Sequence, residues 1–365
     1  MNRRLGTALA LTAGLWFGGC QAEPAKDTLV LTGTYSNETA KGMALLHYDP
    51  VTDQFTPVRT FADIENASFG IYDAQSRRLY VTEERDDGRV AAYTVGEGGR
   101  SLASINALPS GAGSPCYLAL SPDRSRLAVA NYQGDVVAVF GLDPVTGAIQ
   151  DEPQILRAAS AGEGHAHWVQ WSPEGDRLYV VDLGHDEVRA YDYDAHTGQA
   201  GAPVTALSLP EKTGPRHMAF SPNGQYAYVV TEYANTLVAL RREAEGKLTA
   251  IQTVSTLPEG FEGKSFAAHI ALNAAGDRVY VTNRGHNSIG VYQIGEDGRL
   301  SHLQTLATGG DWPRFFLLLE AEKRLVVAHQ NDHVLTVFHI RDDGTLEATD
   351  KRFVSNLPVW LQPVP

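Results

Sequence analysis

Several features that would assign a chain quickly are scarce or missing here. Only two of the 365 residues are cysteine, Cys20 and Cys116, so a disulfide framework is excluded and no cysteine pair can hold a metal. The sequence has no H-E-x-x-H stretch and no Asp/Asn loop of the EF-hand kind, so no metal ligand set and no cofactor is called for. It has no G-x-S-x-G elbow either, which disfavours a serine nucleophile. Positive charge is in the minority: 30 Lys and Arg against 43 Asp and Glu leave a net charge of −13. Nucleic acid is thereby excluded as a partner, since phosphate binding needs a basic face. The apolar run at the N-terminus, Leu5 to Phe17, has 13 residues, short of the ~20 that a membrane-crossing helix needs.

That run suits export instead. Met1-Asn2-Arg3-Arg4 is a basic n-region and the apolar stretch is an h-region, which predicts a signal peptide over residues 1–19. Phe17-Gly18-Gly19-Cys20 resembles the bacterial lipobox, in which the Cys is lipidated and becomes the first residue. Phe17 departs from the usual Leu, and Gln21 in place of Asp resembles lipoproteins sent to the outer membrane. The expectation is therefore a Gram-negative outer-membrane lipoprotein on the periplasmic side, held to the membrane only through the lipid on Cys20. Residues 20–28 would form the lipidated Cys and its tether, and 29–365 the folded domain. With Cys20 acylated no disulfide remains for Cys116, which heads a strand (PCYLALSP) without basic neighbours and reads as a buried inert thiol.

What the chain has in abundance is repetition. Marking the middle of each strong β segment gives Val30, Tyr80, Ala128, Tyr179, Tyr228, Tyr280 and Val326, at intervals of 50, 48, 51, 49, 52 and 46 residues. Each unit reads as a short strand, a turn (SPDR at Ser121, SPEG at Ser172, SPNG at Ser221, NAAG at Asn273), a second strand and a third. A less clearly marked outer strand would complete the unit. Seven such units without long helical patterns predict an all-β fold, a seven-bladed β-propeller. The first unit opens directly on a second-strand sequence, LVLTGTY from Leu29, and the last segment, LPVWLQPV from Leu357, reads as a first strand with nothing after it. Pairing of these N- and C-terminal strands would close the ring and remove both free edges.

The repeat register then places residues. The first and second strands of a blade are antiparallel, so the start of one and the end of the other share one mouth of the central channel. Six residues before each turn proline, or its equivalent, stand Ser68, Cys116, His167, Arg216, Ala268, Arg314 and Val359. Three residues beyond each second-strand triplet stand Thr34, Glu84, Tyr132, Leu183, Glu232, Arg284 and Gln330. Charged groups gathered at an apolar-walled mouth mark a binding site. Three arginines against two glutamates leave it net positive, which suits a carboxylate or a developing oxyanion. For any single one of these residues, pairing that merely holds blades together is an equal reading. His185 and His286 follow glycine and read as turn residues, and His165-x-His167 reads as one pocket and one surface residue rather than as a metal pair.

On these residues the chain resembles the β-propeller lactonases, which include propeller-type 6-phosphogluconolactonase and carboxy-muconate cyclase. The carriers are TGTYSNETAKG from Thr32, SPCYLALSPDRSRLAVANYQG from Ser114, the His165 stretch with DLGHDEV, GPRHMAFSPNGQYAYVVTE from Gly214, VYVTNRGHNSIGVY from Val279 and DWPRFFLLL from Asp311. The resemblance implies a small-molecule lactone substrate, no cofactor, and His167, Arg216, Glu232 and Arg284 as the acting residues. His165, Arg314, Glu84 and Gln330 would bind substrate. Two other readings stay open: a cyclase or isomerase running the lactone reaction in reverse, and a non-catalytic cell-envelope propeller that binds a peptide or glycan. Oligomeric state is not legible.

Overall fold

The computed structural model describes residues 28–37, 42–157 and 163–364. Signal, Cys20 and nearly all of the tether lie outside these; Thr28, expected to end the tether, already begins the first strand. Among the described residues twenty-eight strands form seven four-stranded antiparallel sheets. In chain order blade 2 holds β4 (Gly70–Asp73), β5 (Arg78–Glu83), β6 (Arg89–Val95) and β7 (Leu102–Pro109). Blade 3 holds β8 (Pro115–Leu120), β9 (Arg126–Asn131), β10 (Val136–Gly141) and β11 (Gln154–Arg157); blade 4 holds β12 (Ala166–Trp171), β13 (Arg177–Asp182), β14 (Glu187–Asp194) and β15 (Gln199–Ser208). Blade 5 is β16 (Pro215–Phe220), β17 (Tyr226–Thr231), β18 (Thr236–Arg242) and β19 (Leu248–Ser255); blade 6 is β20 (Phe266–Leu272), β21 (Arg278–Arg284), β22 (Ser288–Ile294) and β23 (Leu300–Ala307). Blade 7 is β24 (Pro313–Leu319), β25 (Arg324–His329), β26 (Val334–Ile340) and β27 (Leu346–Val354).

Blade 1 closes the ring as the termini suggested. Its innermost strand is β28 (Pro358–Val364), paired antiparallel with β1 (Thr28–Thr34) from Leu29↔Val364 to Thr34↔Pro358, and β2 (Met43–Asp49) and β3 (Gln54–Phe61) lie outside them. The outer strands that the sequence marked only weakly are all present, and their burial explains the weak signal. β19 and β27 are exposed at half or more of their residues, whereas β13, β17 and β25 are buried at every residue after the first. Second strands are covered on both faces by neighbouring blades, so they read as continuous apolar runs.

Polar side chains set the spacing between blades. The triplet tyrosine reaches the next blade's outer turn: Tyr80 Oη donates to the Gly147 carbonyl at 3.0 Å, Tyr228 Oη to Gly298 at 3.1 Å and Tyr280 Oη to Gly344 at 2.8 Å. In blades 4, 5 and 6 a second tie joins the hairpin tip to the chain leading into the following blade. Asp186 Oδ1 accepts from the Gly214 amide at 2.7 Å, Asn287 Oδ1 from the Trp312 amide at 3.0 Å, and Asn235 Nδ2 donates to the Ser265 carbonyl at 2.8 Å. All three tip residues have positive φ, near 50–58°, which Asn and Asp tolerate better than other side chains. These ties fix the lead-in segments from which the site residues project.

Candidate active site

A repeated backbone irregularity builds the polar mouth. The β8–β9 ladder skips at Cys116, β12–β13 at His167, β16–β17 at Arg216, β24–β25 at Arg314 and β1–β28 at Val359. In β20–β21 the skip covers Ala268 and His269. A bulged residue is unpaired in the ladder and its side chain is re-aimed, so the first set of register positions turns toward the mouth as a group. The second set is latched beside it. The amides of Glu84, Tyr132, Leu183, Glu232 and Gln330 donate to the carbonyls of Asn66, Ser114, His165, Gly214 and Trp312, each two residues before a first-set position.

Two ionic clusters result. Glu232 Oε2 lies 2.9 Å from Arg284 Nη2 and 3.0 Å from Arg216 Nε, the latter contact being ionic but out of line for a hydrogen bond. Arg284 is held by the Phe266 and Ala267 carbonyls at 3.2 and 3.3 Å, and its guanidinium lies 5.4 Å from the Trp312 ring centroid and 6.0 Å from that of Phe266. Arg216, only 2% exposed, donates through Nη1 to the Ala268 carbonyl at 2.7 Å. In the second cluster Arg314 Nη2 donates to Tyr35 Oη at 2.8 Å, and that hydroxyl donates to Glu84, 3.0 Å from either carboxylate oxygen.

His167 sits between the clusters, 5% exposed. Its ring stands edge-on to Tyr132 and His217 at 5.7 and 5.2 Å, and Nδ1 is 3.9 Å from Cys116 Sγ. Burial first, then Arg216 and Arg314, hold its pKa well below the ordinary imidazole value, so His167 is neutral at physiological pH. Burial and then Arg284 and Arg314 lower Arg216 to about 9, against the pull of Glu232; it stays a cation at neutral pH. Burial pushes the Cys116 thiol up, so the thiolate is suppressed and Cys116 is no nucleophile, as its sequence context indicated.

The other site candidates divide by partner. His165 stacks on Tyr132 at 4.2 Å with rings nearly parallel, and its Nδ1 bonds the Tyr132 carbonyl at 3.0 Å. The Gln330 side-chain oxygen is buried without a hydrogen-bond partner. His185 bonds Asp182 at 2.6 Å, beside an Arg189 guanidinium that grips both oxygens of Asp135 at 2.8 and 2.6 Å. Asp135, Asp182 and His185 lie close enough to share an ion, but the Arg189 cation already occupies the charge-balancing position. Asp182 also accepts from the His165 amide at 2.9 Å, so this network supports the strand that carries His167. His286 bonds Ser288 at 2.7 Å within its own turn.

Beneath the charged groups the channel is filled. Phe69, Tyr117, Trp168, His217, His269, Phe315 and Trp360 follow directly on the seven first-set positions. They touch around the axis, for example Phe69–Tyr117 at 4.0 Å, Tyr117–His217 at 5.1 Å and His269–Phe315 at 4.1 Å. This girdle floors the mouth and puts the ions in a low-dielectric setting, where their fields act strongly. At the turn-bearing end a cavity of about 630 Å³ lies against Tyr117, Trp168, Phe220 and His269; its described lining residues include no carboxylate, lysine or arginine.

Residues 29–363 match the family described as Lactonase, 7-bladed beta-propeller. This chain belongs to the seven-bladed β-propeller lactonase family. Within that family it is 32% identical over 334 residues to a protein of Staphylococcus saprophyticus, covering 88% of this chain and 94% of that one. It is 30% identical over 325 residues to the 6-phosphogluconolactonase of Bacillus subtilis, covering 86% and 91%. The solved periplasmic gluconolactonase of Pseudomonas aeruginosa superposes with a TM-score of 0.86 at 27% identity, over 93% of this lactonase-family chain and 99% of that protein.

Sequence reasoning missed Tyr35, Phe266, Trp312 and His269. His269 carried a signal: an aromatic or imidazole ring follows every first-set position in all seven units. Tyr35 did not, because it lies one residue past the second set, where β1 has ended and no repeat fixes direction.

Proposed function

We propose that this lactonase-family protein hydrolyses an unphosphorylated sugar lactone outside the inner membrane. The observation that carries the reading is Glu232, whose Oε2 is shared by Arg216 and Arg284 at a mouth floored by rings and flanked by a neutral His167. Hydrolysis requires a water to attack the lactone carbonyl, an oxyanion to be stabilised, and the ring oxygen to leave with a proton. Glu232 takes the proton from water as the new C–O bond forms. The guanidinium groups of Arg216 and Arg284 face the negative charge that develops on the carbonyl oxygen. The ring C–O bond then breaks and the proton goes from Glu232 to the departing alkoxide, giving the open hydroxy acid, which ionises. Held neutral, His167 cannot start as the acid. It serves by accepting a proton and passing it on, or by orienting the water.

Among the described residues each arginine of the mouth already faces a carboxylate or a phenol, with three cations against Glu232 and Glu84. One surplus positive charge fits a lactone turning into a monoanionic acid better than a phosphate dianion. The exported address read from residues 1–20, and the similarity to a periplasmic gluconolactonase, support the same choice. The test is a pH-indicator assay of purified protein with gluconolactone, its 6-phosphate and a muconolactone. Hydrolysis of gluconolactone above the spontaneous rate, and in preference to the phosphate, is expected. No lactone turned over faster than in buffer would remove the proposal.

The address has its own prediction. Cys20→Ala shifts the protein from the membrane to a soluble or unprocessed form and abolishes incorporation of labelled fatty acid; unchanged membrane fractionation would refute lipidation.

A further inference from the structure

The Arg216 guanidinium is tied to two imidazoles of the girdle. Nη1 lies 3.2 Å from His217 Nε2, and His217 Nδ1 lies 3.1 Å from His269 Nδ1. The chemistry of these atoms fixes every proton. Arginine has donors only, so His217 Nε2 must present its lone pair. The His217 proton is then on Nδ1, where it is donated to His269, and His269 must carry its own proton on Nε2. Both rings are buried in the girdle, His217 edge-on to Tyr117 at 5.1 Å and His269 stacked on Phe315 at 4.1 Å. Neither ring can rotate away without breaking that packing. A single chain of hydrogen bonds thus runs from the charged mouth through the floor, with one consistent tautomer at each step.

We propose that His217 and His269 are positioning residues: a neutral, tautomer-locked imidazole pair that holds the Arg216 guanidinium in its catalytic orientation. The inference rests on the lactonase reading for its kinetic consequence but not for its structural one. Arg216 Nη1 has two hydrogens, and the Ala268 carbonyl takes one while His217 takes the other. With both engaged, the guanidinium plane is set by two acceptors, one on its own strand and one on the next blade, and its Nε edge faces Glu232. Without His217 the head group keeps a single neutral anchor and can turn about the Ala268 contact. Misplacing an oxyanion donor by a fraction of an ångström damages the transition state more than the ground state.

Two measurements on the full-length protein test this. His217→Phe keeps the ring and removes the acceptor; His217→Gln restores an acceptor oxygen near the Nε2 position. The first is expected to lower kcat by about 10- to 100-fold, the size of one hydrogen bond to a charged group, with KM little changed. The second is expected to recover most of that loss. Equal activity of His217→Phe and wild type, or an equal loss in both variants, would overturn the proposal. Independently of any activity, long-range ¹H–¹⁵N spectra of the wild type at neutral pH should show His217 protonated on Nδ1 only and His269 on Nε2 only. The opposite tautomers, or a charged ring, would overturn it even if the lactone assays succeed. If the spectra agree while no lactone is turned over, the pair stands and the lactonase reading alone fails.

Discussion

Glu232→Gln should leave a folded protein that has lost about two to four orders of magnitude in kcat, the usual size of a positioned acid–base contribution. The amide matches the carboxylate in shape and can still present an oxygen to one arginine, but it cannot take a proton from water. The change also deprives Arg216 and Arg284 of their shared counter-charge. Both are almost fully buried, at 2% and 5% exposure, and breaking a buried ion pair from one side commonly costs about 3–5 kcal/mol. A lower melting temperature is therefore expected alongside the loss of turnover. The Michaelis constant separates these contributions. Two guanidinium groups released from Glu232 should bind the acid product at least as tightly as before, so product inhibition strengthens and KM does not rise while kcat collapses. If Glu232 only clamps blade 5 to blade 6, the melting temperature falls and turnover per folded molecule stays near that of the wild type. That second pattern would end the mechanism proposed here.

The sequence could place Glu232 beside Arg216 and Arg284 because the repeat carries its own ruler. Each Ser-Pro turn is a fixed point: Ser121 and Ser221 hydroxyls bond Asp123 and Asn223 and accept from the amides of Arg126 and Tyr226. Glycines at φ 78° and 68° (Gly175, Gly224) complete two of these turns, a conformation that costs glycine nothing. Counting back from such a turn reaches the bulge, and since the bulge recurs at the same place in six blades the count survives it. What the count cannot supply is direction once the strand ends. Glu84 is where the register puts it, yet its partner is Tyr35 from the preceding blade, a contact between non-equivalent positions. The same holds for Arg284, whose flanking rings are Phe266, the first residue of β20, and Trp312, just before β24. The girdle was legible in principle, as a ring at the next position in all seven units. A histidine among phenylalanines and tryptophans gives no hint in sequence that it bonds another histidine.

Deleting Leu357 to Pro365 should leave no folded domain at all. The strand it removes, β28, buries Val359, Trp360, Leu361 and Val364 almost completely. Trp360 meets Phe69 at 6.2 Å in the girdle and packs against Gly33 and Gly70, where an added Cβ would come within 2.8 and 2.7 Å of the indole. Losing a buried tryptophan alone costs about 3–5 kcal/mol, and each of the three aliphatic side chains adds roughly 1.5–3 kcal/mol. Their total is comparable to the ~5–15 kcal/mol by which a whole domain is stable. The truncation also strands β1, which pairs with β28 from Leu29 to Thr34. Its freed amides and carbonyls would line an open sheet edge, the usual template for edge-to-edge aggregation. The expected result is insoluble protein, or a soluble chain without a cooperative melting transition. Trp360→Ala gives the graded version: a folded ring with its midpoint lowered, because the strand still pairs but the girdle is broken at one blade. The difference between the two variants measures what closure adds beyond packing. A truncated protein that melts cooperatively at the wild-type temperature would mean that the ring does not depend on pairing between the two ends of the domain.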